Sequence, residues 1–217
     1  MASDKSDNGT MDSESEITLG LLNAVHENSG VTQRSVARDL GIALGLTNAY
    51  LKRCIRKGYI KVRQIPSNRY AYYLTPQGFA EKARLTTEYL SCSFTFFREA
   101  RQQCAAALGR CSAQGWSRVA LAGAGDLAEI ATLCARDTNV SLLAVIDPAA
   151  AGGDHAGLPV AASPGDIDRL DAVIVTDLTA PQDTFDALAT AMPAERILTP
   201  ALLHVVRQPL VAEDATP

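Results

Sequence analysis

Residues 32–60 read TQRSVARDLGIALGLTNAYLKRCIRKGYI, a pattern typical of two short helices joined by a turn. Thr32 can cap the first helix, and Gly41 can end it, because glycine readily adopts the backbone angles found just after a helix. The second helix is predicted from about Ala43 to Lys57, with Gly58 ending it. Its predicted buried positions are Tyr50 and Leu51, with Thr47, Cys54 and Ile55 as further candidates. The stretch therefore predicts a helix-turn-helix.

One helix precedes this motif, and a pair of strands follows it. Apolar residues recur at helical spacing from Ile17 to Val25. Residues 59–64 and 69–74 alternate as strands on either side of the turn sequence Pro66-Ser-Asn68. The order of helix, helix-turn-helix and hairpin predicts a winged helix over residues 16–90.

The charge of the chain changes sign along its length. Residues 17–92 hold eleven lysines and arginines against four acids, a net +7, whereas residues 93–217 hold eight arginines against fifteen acids, a net −7. Residues 1–15 are acidic and contain almost nothing apolar, so we expect a disordered tail. A basic module between acidic flanks is typical of a surface that binds phosphate backbones, although a solvated charged face would give the same counts.

The second helix of the motif would enter the major groove of double-stranded DNA, where side chains near its N-terminal half reach base edges. Asn48 can pair with adenine, and Lys52 or Arg53 can pair with guanine. The candidate phosphate contacts, which would make affinity depend on salt, are Arg56, Lys57, Lys61, Arg63 and Arg69. Which of these side chains face the groove depends on the register of the helix, and Asn48 or Lys52 could instead be solvated.

Residues 17–89 resemble the MarR family of winged-helix regulators, and within it the group associated with exopolysaccharide gene clusters. The resemblance is carried by residues 39–52, by Arg56-Lys-Gly-Tyr-Ile-Lys61 and by residues 69–83. The block Leu-Thr-Pro-x-Gly-x-x-x-Lys, which begins at Leu74, is fairly specific for this type of regulator. The resemblance implies a homodimer that binds a near-palindromic operator, commonly as a transcriptional repressor.

A long helix is predicted from Thr75-Pro76 towards Leu108, with a possible interruption at residues 91–93. Its part over residues 91–116 could either join two copies of the chain or pack against the chain's own C-terminal domain. We favour a linker and dimerisation helix, because two half-sites on DNA require two recognition helices. Cys104 and Cys111 lie on one face of it and are either redox-active or, as is more common, buried structural thiols.

The second half opens with residues 118–129, RVALAGAGDLAE, in which a short apolar strand meets a glycine turn and a helix. In such a turn, Gly123 permits the tight bend, Gly125 lets the backbone approach a pyrophosphate, and Ala128 allows close packing of helix on strand. The helix N-terminus at Asp126 and Leu127 then presents free N–H groups to the anion. The carboxylate of Asp126 could also repel a phosphate.

Strands continue to alternate with helices after this turn. Further strands are predicted at residues 142–146, 157–161, 171–177 and 196–200, which implies a parallel sheet. Asp147 ends the second strand, where an acid would bind a ribose diol and disfavour a 2′-phosphate. Thr176, at the end of a later strand, is a further candidate contact. Residues 117–206 are predicted to form a Rossmann-like domain that binds NAD(H) or a nucleotide-sugar; a vestigial fold that only oligomerises stays open.

Residues 118–178 look like the nucleotide-binding domain of polysaccharide-biosynthesis proteins and of sugar O- or N-acyltransferases. The motifs that carry this resemblance are Gly123-Ala-Gly125, Ala144-Val-Ile-Asp147, Gly157-Leu-Pro-Val160 and Asp171-Ala-Val-Ile-Val175. The size and domain order are also similar to those of the Rex repressors, which read NADH through a Rossmann domain. Enzymes of the sugar families add a Tyr-x-x-x-Lys pair or a catalytic histidine domain. This chain has no Tyr or Lys after Tyr89, so we expect no enzyme activity.

The remaining features exclude other classes of protein. No apolar run is long enough for a membrane span, and the five cysteines and three histidines are too scattered for a metal site. We therefore expect a cytoplasmic, dimeric transcription regulator that senses a nucleotide ligand. Its predicted fold is α/β overall, with a winged helix-turn-helix, a long linker helix, a Rossmann-like parallel sheet and a flexible tail over residues 207–217. The alternative is a DNA-binding dimer whose second domain binds no ligand, and a fragment of a sugar-modifying enzyme is a less favoured alternative.

Overall fold

The computed structural model describes residues 11–66 and 69–207, which divide into two units, Met1–Phe96 and Phe97–Pro217. The first unit begins with the helices α1 (Ser13–Glu27), α2 (Gln33–Asp39) and α3 (Leu44–Arg56). The antiparallel strands β1 (Ile60–Ile65) and β2 (Arg69–Leu74) follow, with Ile60 opposite Leu74. This order confirms the predicted winged helix-turn-helix.

Helix α1 begins earlier than its apolar spacing predicts. The carboxylate of Asp12 accepts a hydrogen bond from the Ser15 amide at 2.9 Å and so caps the helix. Glu14 and Glu16 lie in the first turn, where negative charge is favourable. Residues 13–15 therefore belong to α1 and not to the predicted acidic tail; residues 1–10 and 208–217 lie outside the described part.

The core of the first unit forms between α1, α3 and the hairpin. Its buried members are Leu19, Leu21, Leu22, Val25, Val36, Leu51, Cys54, Ile60, Tyr72 and Leu85. Thr47 is also buried, and its hydroxyl donates to the carbonyl of Ala43, which satisfies the only polar group of that side chain. The prediction that Ile55 is buried was wrong, since this side chain lies at the surface.

The Leu-Thr-Pro-x-Gly block joins the hairpin to α4 (Pro76–Ala113). The hydroxyl of Thr75 donates to the Gly58 carbonyl at 2.6 Å and accepts a hydrogen bond from the Gly78 amide at 3.0 Å. The Thr75 amide in turn donates to the Tyr59 carbonyl. A Cβ at residue 78 would lie 2.1 Å from that carbonyl oxygen, so only glycine fits here. The block therefore fixes the start of α4 against the turn after α3.

Helix α4 is continuous through residues 91–93, where an interruption seemed possible. The hydroxyls of Ser91 and Ser93 donate to the carbonyls one turn earlier, so these serines find partners without breaking the helix. None of the helices in the described part combines the length and apolar character that a membrane span requires.

The C-terminal part of α4 packs within the second unit. Its buried residues are Ala100, Cys104, Ala107, Leu108 and Cys111. The Gln103 side chain accepts a hydrogen bond from the Leu202 amide at 2.7 Å, and the thiol of Cys134 donates to the Arg101 carbonyl. The apolar residues of this face are therefore covered by the chain's own C-terminal unit. Dimerisation through residues 91–116 stays a prediction.

The second unit is built on a parallel sheet. Its elements are β3 (Arg118–Ala122), α5 (Asp126–Ala135), β4 (Ser141–Ile146), β5 (Asp154–His155), β6 (Leu158–Ala161), β7 (Ala172–Val175), α6 (Pro181–Ala191) and β8 (Ile197–Leu198). The strand order is β5-β6-β4-β3-β7-β8, and the described pairs are parallel except β5 with β6. The predicted parallel sheet is confirmed; the short strand β5 was not predicted.

The chain changes direction in this sheet between β3 and β7. It leaves β3 through β4 and β6 on one side, and it then returns to β7 on the other side. At such a switch point the connections after the two central strands diverge and leave a crevice outside their carboxyl ends. The topology therefore places a crevice next to the glycine turn that follows β3.

We expect Gly78→Ala to lower the free energy of unfolding by about 1–3 kcal/mol, because the added methyl group overlaps a backbone oxygen that cannot move freely. Urea denaturation followed by circular dichroism measures the change. Gly109→Ala, in the same helix but with open space around it, is the matched control and should raise stability by roughly 0.5–1 kcal/mol. Equal effects of the two changes on stability would show that the close contact between residue 78 and the Tyr59 carbonyl does not restrict this position.

Candidate functional site

Helix α3 has a clearly divided surface. Thr47, Leu51 and Cys54 face the core, whereas the exposed residues at helical spacing on the opposite face are Gly45, Ala49, Lys52 and Arg56. Small residues thus occupy the N-terminal half of the outward face, and cations occupy its C-terminal half. Of the predicted DNA contacts on this helix, Lys52 and Arg56 lie fully on the outward face.

The other two predicted base contacts lie at the flanks of α3. Asn48 is half-buried. The guanidinium of Arg53 forms an ion pair and a hydrogen bond with the carboxylate of Glu14 in α1, and this hydrogen bond raises the pKa of Arg53. Arg53 is therefore held against α1, and a contact with guanine would require it to leave this partner.

The remaining predicted phosphate contacts lie around the hairpin. The ammonium group of Lys57 sits 5.7 Å from the centre of the Tyr59 ring, close enough for a cation–π interaction. Lys61 and Arg63 alternate along β1 and are both exposed. Arg69 pairs with Ile65 through the backbone, but its side chain lies outside the described part. The exposed cations of α3 and β1 give this unit a positive surface.

The second unit contains a pocket of about 790 Å³ at the carboxyl ends of its parallel strands. The segments that line it follow β3, β4, β6 and β7 or belong to α6, and they comprise residues 122–126, 146–148, 162–164, 176–179 and several residues from 183 to 191. This volume is within the usual range for small-molecule sites. The pocket lies at the switch point that the strand order creates.

The two glycines of the turn have different surroundings. Gly123 has a φ of +108°, and a Cβ there would lie 2.6 Å from backbone atoms of Asp177, so a side chain would collide with the end of β7. A Cβ on Gly125 would meet nothing within 4 Å. Gly125 is also the N-cap of α5, whose first amides have no acceptor within the helix. The backbone at Gly125 is therefore open to a ligand atom.

Three of the predicted ligand contacts lie in the pocket wall with different roles. Asp147 accepts hydrogen bonds from the amides of Ala124 and Ala149, at 3.2 and 2.9 Å, so its carboxylate lies directly beside the glycine turn. Asp126 is exposed at the start of α5. Thr176 is buried, and its hydroxyl donates to the carbonyls of Ala122 and Gly123, so it joins β7 to β3.

Leu127, a further predicted contact, is fully buried in the core below α5 and does not line the pocket. The contact predicted for Leu127 is made by its backbone N–H, so the inward direction of its side chain does not bear on it, and the contact stays a prediction. Only its backbone amide, in the first turn of α5, can serve a ligand.

Two residues near the glycine turn were not predicted as site residues: Asp177, which lines the pocket, and His155, which is not part of its lining. Asp177 accepts hydrogen bonds from the amides of Thr179 and Ala180 and from the Thr184 hydroxyl; burial raises its pKa, but these bonds outweigh burial and leave the pKa below its usual value. His155 on β5 has Nε2 3.2 Å from the Gly125 carbonyl oxygen. The signal for Asp177 was its place directly after a strand, whereas nothing in the local sequence connects His155 to residue 125.

The pocket wall carries negative charge. Its described lining includes Asp126, Asp147, Asp177 and Asp183 and contains neither lysine nor arginine. No group of three or more metal-ligating side chains occurs within residues 11–66 and 69–207. The polar groups that the wall offers a ligand are therefore backbone amides, hydroxyls and carboxylates, beside apolar side chains such as Ile146, Leu178 and Leu188.

Residues 14–61, which include α1 to α3, match the family of winged helix-turn-helix DNA-binding domains. The first unit thus has the winged-helix element order and is similar in sequence to these DNA-binding domains. The matched stretch ends in β1, so it covers the helix-turn-helix and the start of the hairpin. No curated protein matches the chain.

Three solved structures of bacterial regulators are similar to part of the chain. The PcaV transcriptional regulator from Streptomyces coelicolor, in complex with its natural ligand, is 23% identical with a TM-score of 0.35, over 37% of this chain and 59% of that one. MepR, a transcription regulator of the Staphylococcus aureus multidrug efflux pump MepA, is 26% identical with a TM-score of 0.34, over 40% and 63%. A MepR mutant bound to an oligodeoxyribonucleotide is 24% identical with a TM-score of 0.33, over 40% and 63%.

The chain spans about three fifths of the length of these regulators. Their TM-scores are too low to establish a shared overall fold, and the aligned part is less than half of this chain.

Four of the five cysteines are buried: Cys54, Cys104, Cys111 and Cys134. Burial raises the pKa of Cys104 to about 12 and those of Cys54 and Cys111 to about 11. Cys104 and Cys111 are two helical turns apart, about 10 Å along α4, which is too far for a disulfide between them. Their surroundings are those of structural thiols.

We expect Cys54, Cys104 and Cys111 to resist iodoacetamide in the folded protein at pH 8, because little thiolate forms and the sulfur atoms are buried. Alkylation followed by peptide mass spectrometry measures each site, and the urea-unfolded chain is the control in which all five cysteines should react. Rapid alkylation of Cys104 or Cys111 in the folded state would instead support a redox-active role for that thiol.

Proposed function

We propose that the chain is a transcription regulator whose winged helix binds operator DNA and whose Rossmann-like domain binds a nucleotide-type ligand that changes DNA affinity. Ligand binding is proposed on the basis of the pocket at the switch point, where Gly125 leaves the backbone open beside Asp147. DNA binding is proposed on the basis of the basic, outward face of α3 in a winged helix-turn-helix.

The proposal for DNA follows from geometry and charge. Lys52 and Arg56 on α3, with Lys61 and Arg63 on β1, can neutralise phosphates on either side of a groove. A homodimer that binds a near-palindromic operator, as in MarR-type repressors, would place two such units on successive half-sites. Polysaccharide genes as targets rest only on the resemblance of residues 17–89 to regulators associated with exopolysaccharide gene clusters.

The pocket suits a nucleotide that carries a diphosphate and a ribose. The first amides of α5 can bind a phosphate oxygen, and Gly125 leaves room for its approach. Each carboxylate oxygen accepts up to two hydrogen bonds, so Asp147 keeps capacity for ribose hydroxyls while it binds Ala124 and Ala149. The carboxylate of Asp147, at the expected position of the ribose diol, disfavours a 2′-phosphate, so NAD(H) or a nucleotide-sugar fits better than NADP.

Sensing requires that the ligand distinguish two states of the protein. A ligand that binds the DNA-competent and DNA-incompetent forms with equal affinity changes nothing, however tightly it binds. Helix α4 contributes residues to both units, so it is the element through which we expect the two binding events to be coupled. A DNA-binding dimer with a ligand-free second domain is the competing function, and the next experiment separates the two.

We expect the purified protein to bind NAD⁺, NADH or a UDP-sugar with micromolar affinity, and Gly125→Val to abolish this binding because its side chain fills the phosphate position. Mass spectrometry of nucleotides released from the protein and calorimetric titration measure binding. Asp147→Asn should weaken binding, whereas Asp137→Asn, an exposed acid outside the pocket, is the matched control. No binding of any nucleotide would favour the ligand-free alternative.

On DNA, we expect Lys52→Ala or Arg56→Ala to weaken binding at every sequence and to reduce the slope of log affinity against log salt by about 1. Arg53→Ala should have a smaller effect, because Glu14 already neutralises this side chain. Fluorescence anisotropy over a salt series measures both quantities, with Arg136→Ala in the acidic unit as the control. A larger effect at Arg53 than at Lys52 would show that Arg53 leaves Glu14 to contact DNA.

A further inference from the structure

Two leucines are exposed in the first turn of α3. Leu44 and Leu46 are 46% and 41% exposed, although burial of such side chains would stabilise the protein. Gly45 lies between them, and a Cβ there would meet nothing within 4 Å. The start of the helix thus presents two apolar side chains on either side of bare backbone.

Polar side chains that could read bases are scarce at this end of α3. Asn48 is half-buried, Ala49 carries only a methyl group, and the first exposed cation is Lys52. In helix-turn-helix proteins, the N-terminal residues of the recognition helix are the ones that contact base edges. The part of α3 nearest the bases in such a complex is therefore mainly apolar.

Only one feature of the major groove matches apolar side chains. The four base pairs present hydrogen-bond donors and acceptors there, and thymine adds a C5-methyl group. We propose that Leu44 and Leu46 read thymine methyl groups in the operator. The inference rests on the proposed DNA-binding function and adds the class of base that the protein selects.

The rest of the helix surface is consistent with this mode of reading. Gly45 and Ala49 have little or no side chain, so the backbone of α3 can come close to the floor of the groove. Lys52 and Arg56 follow on the same face and supply positive charge for the phosphates. Specificity at this end of the site would then come from methyl groups, and affinity from the cations.

Replacement of thymine by deoxyuracil tests the inference, because it removes the methyl group and leaves base pairing unchanged. A duplex is first selected from random sequences with the full chain, and each thymine is then replaced in turn. We expect about fourfold weaker binding at the thymines that face the two leucines, since each methyl group is worth about one buried CH₂. Fluorescence anisotropy gives the dissociation constants.

The leucine variants show which side chain reads each methyl group. Leu44→Ala and Leu46→Ala should each lose the thymine–deoxyuracil difference at its own position, and the double variant should lose both. Leu133→Ala, a leucine on α5 that is 50% exposed, is the matched control and should keep both differences. Circular dichroism verifies that each variant is folded, as expected for substitutions at exposed helix positions.

Two outcomes overturn the inference while the proposed function stands: equal affinity for the selected duplex with and without thymine methyl groups, or a thymine–deoxyuracil difference that persists in the double variant. Failure of the wild-type chain to select any duplex sequence would overturn the proposed operator binding itself, and the inference with it.

Discussion

The arrangement of the pocket in the second unit depends on one contact, the close approach of β3 and β7 at their carboxyl ends. Gly123 lies against the backbone of Asp177 with no room for a side chain, and the Thr176 hydroxyl joins the two strand ends. This contact places the glycine turn at the start of α5 and Asp177 at the start of α6. Because both helices begin at the same crevice, their first turns form two walls of one pocket.

In the first unit, a glycine at a close backbone contact likewise positions the last helix, α4. The Thr75 hydroxyl bridges the Gly58 carbonyl and the Gly78 amide, and residue 78 has no space for a methyl group. A glycine in each unit thus marks a point where backbone meets backbone. Such positions tolerate no other residue without a shift of the chain, which explains why a short block of sequence can be so characteristic of a fold.

Charge separates the roles of the two units. The first is basic, and on α3 its cations lie on the face turned away from the core, as phosphate binding requires. The described wall of the pocket carries four aspartates and neither lysine nor arginine, so its polar groups are carboxylates, backbone amides and hydroxyls. Opposite charges are consistent with the different partners that we propose for the units, DNA for one and a small nucleotide for the other.

The sequence by itself determined the elements: capping residues, glycines and the spacing of apolar residues predicted the winged helix, the parallel sheet and the glycine turn beside Asp147, because these signals act over a few neighbouring residues. Tertiary structure decided which side chains are free. It paired Arg53 with Glu14, buried Leu127, brought His155 to Gly125 and covered one face of α4 with the chain's own C-terminal unit. The contacts of Arg53, of His155 and of the covered face of α4 join residues distant in sequence, so no local pattern encodes them.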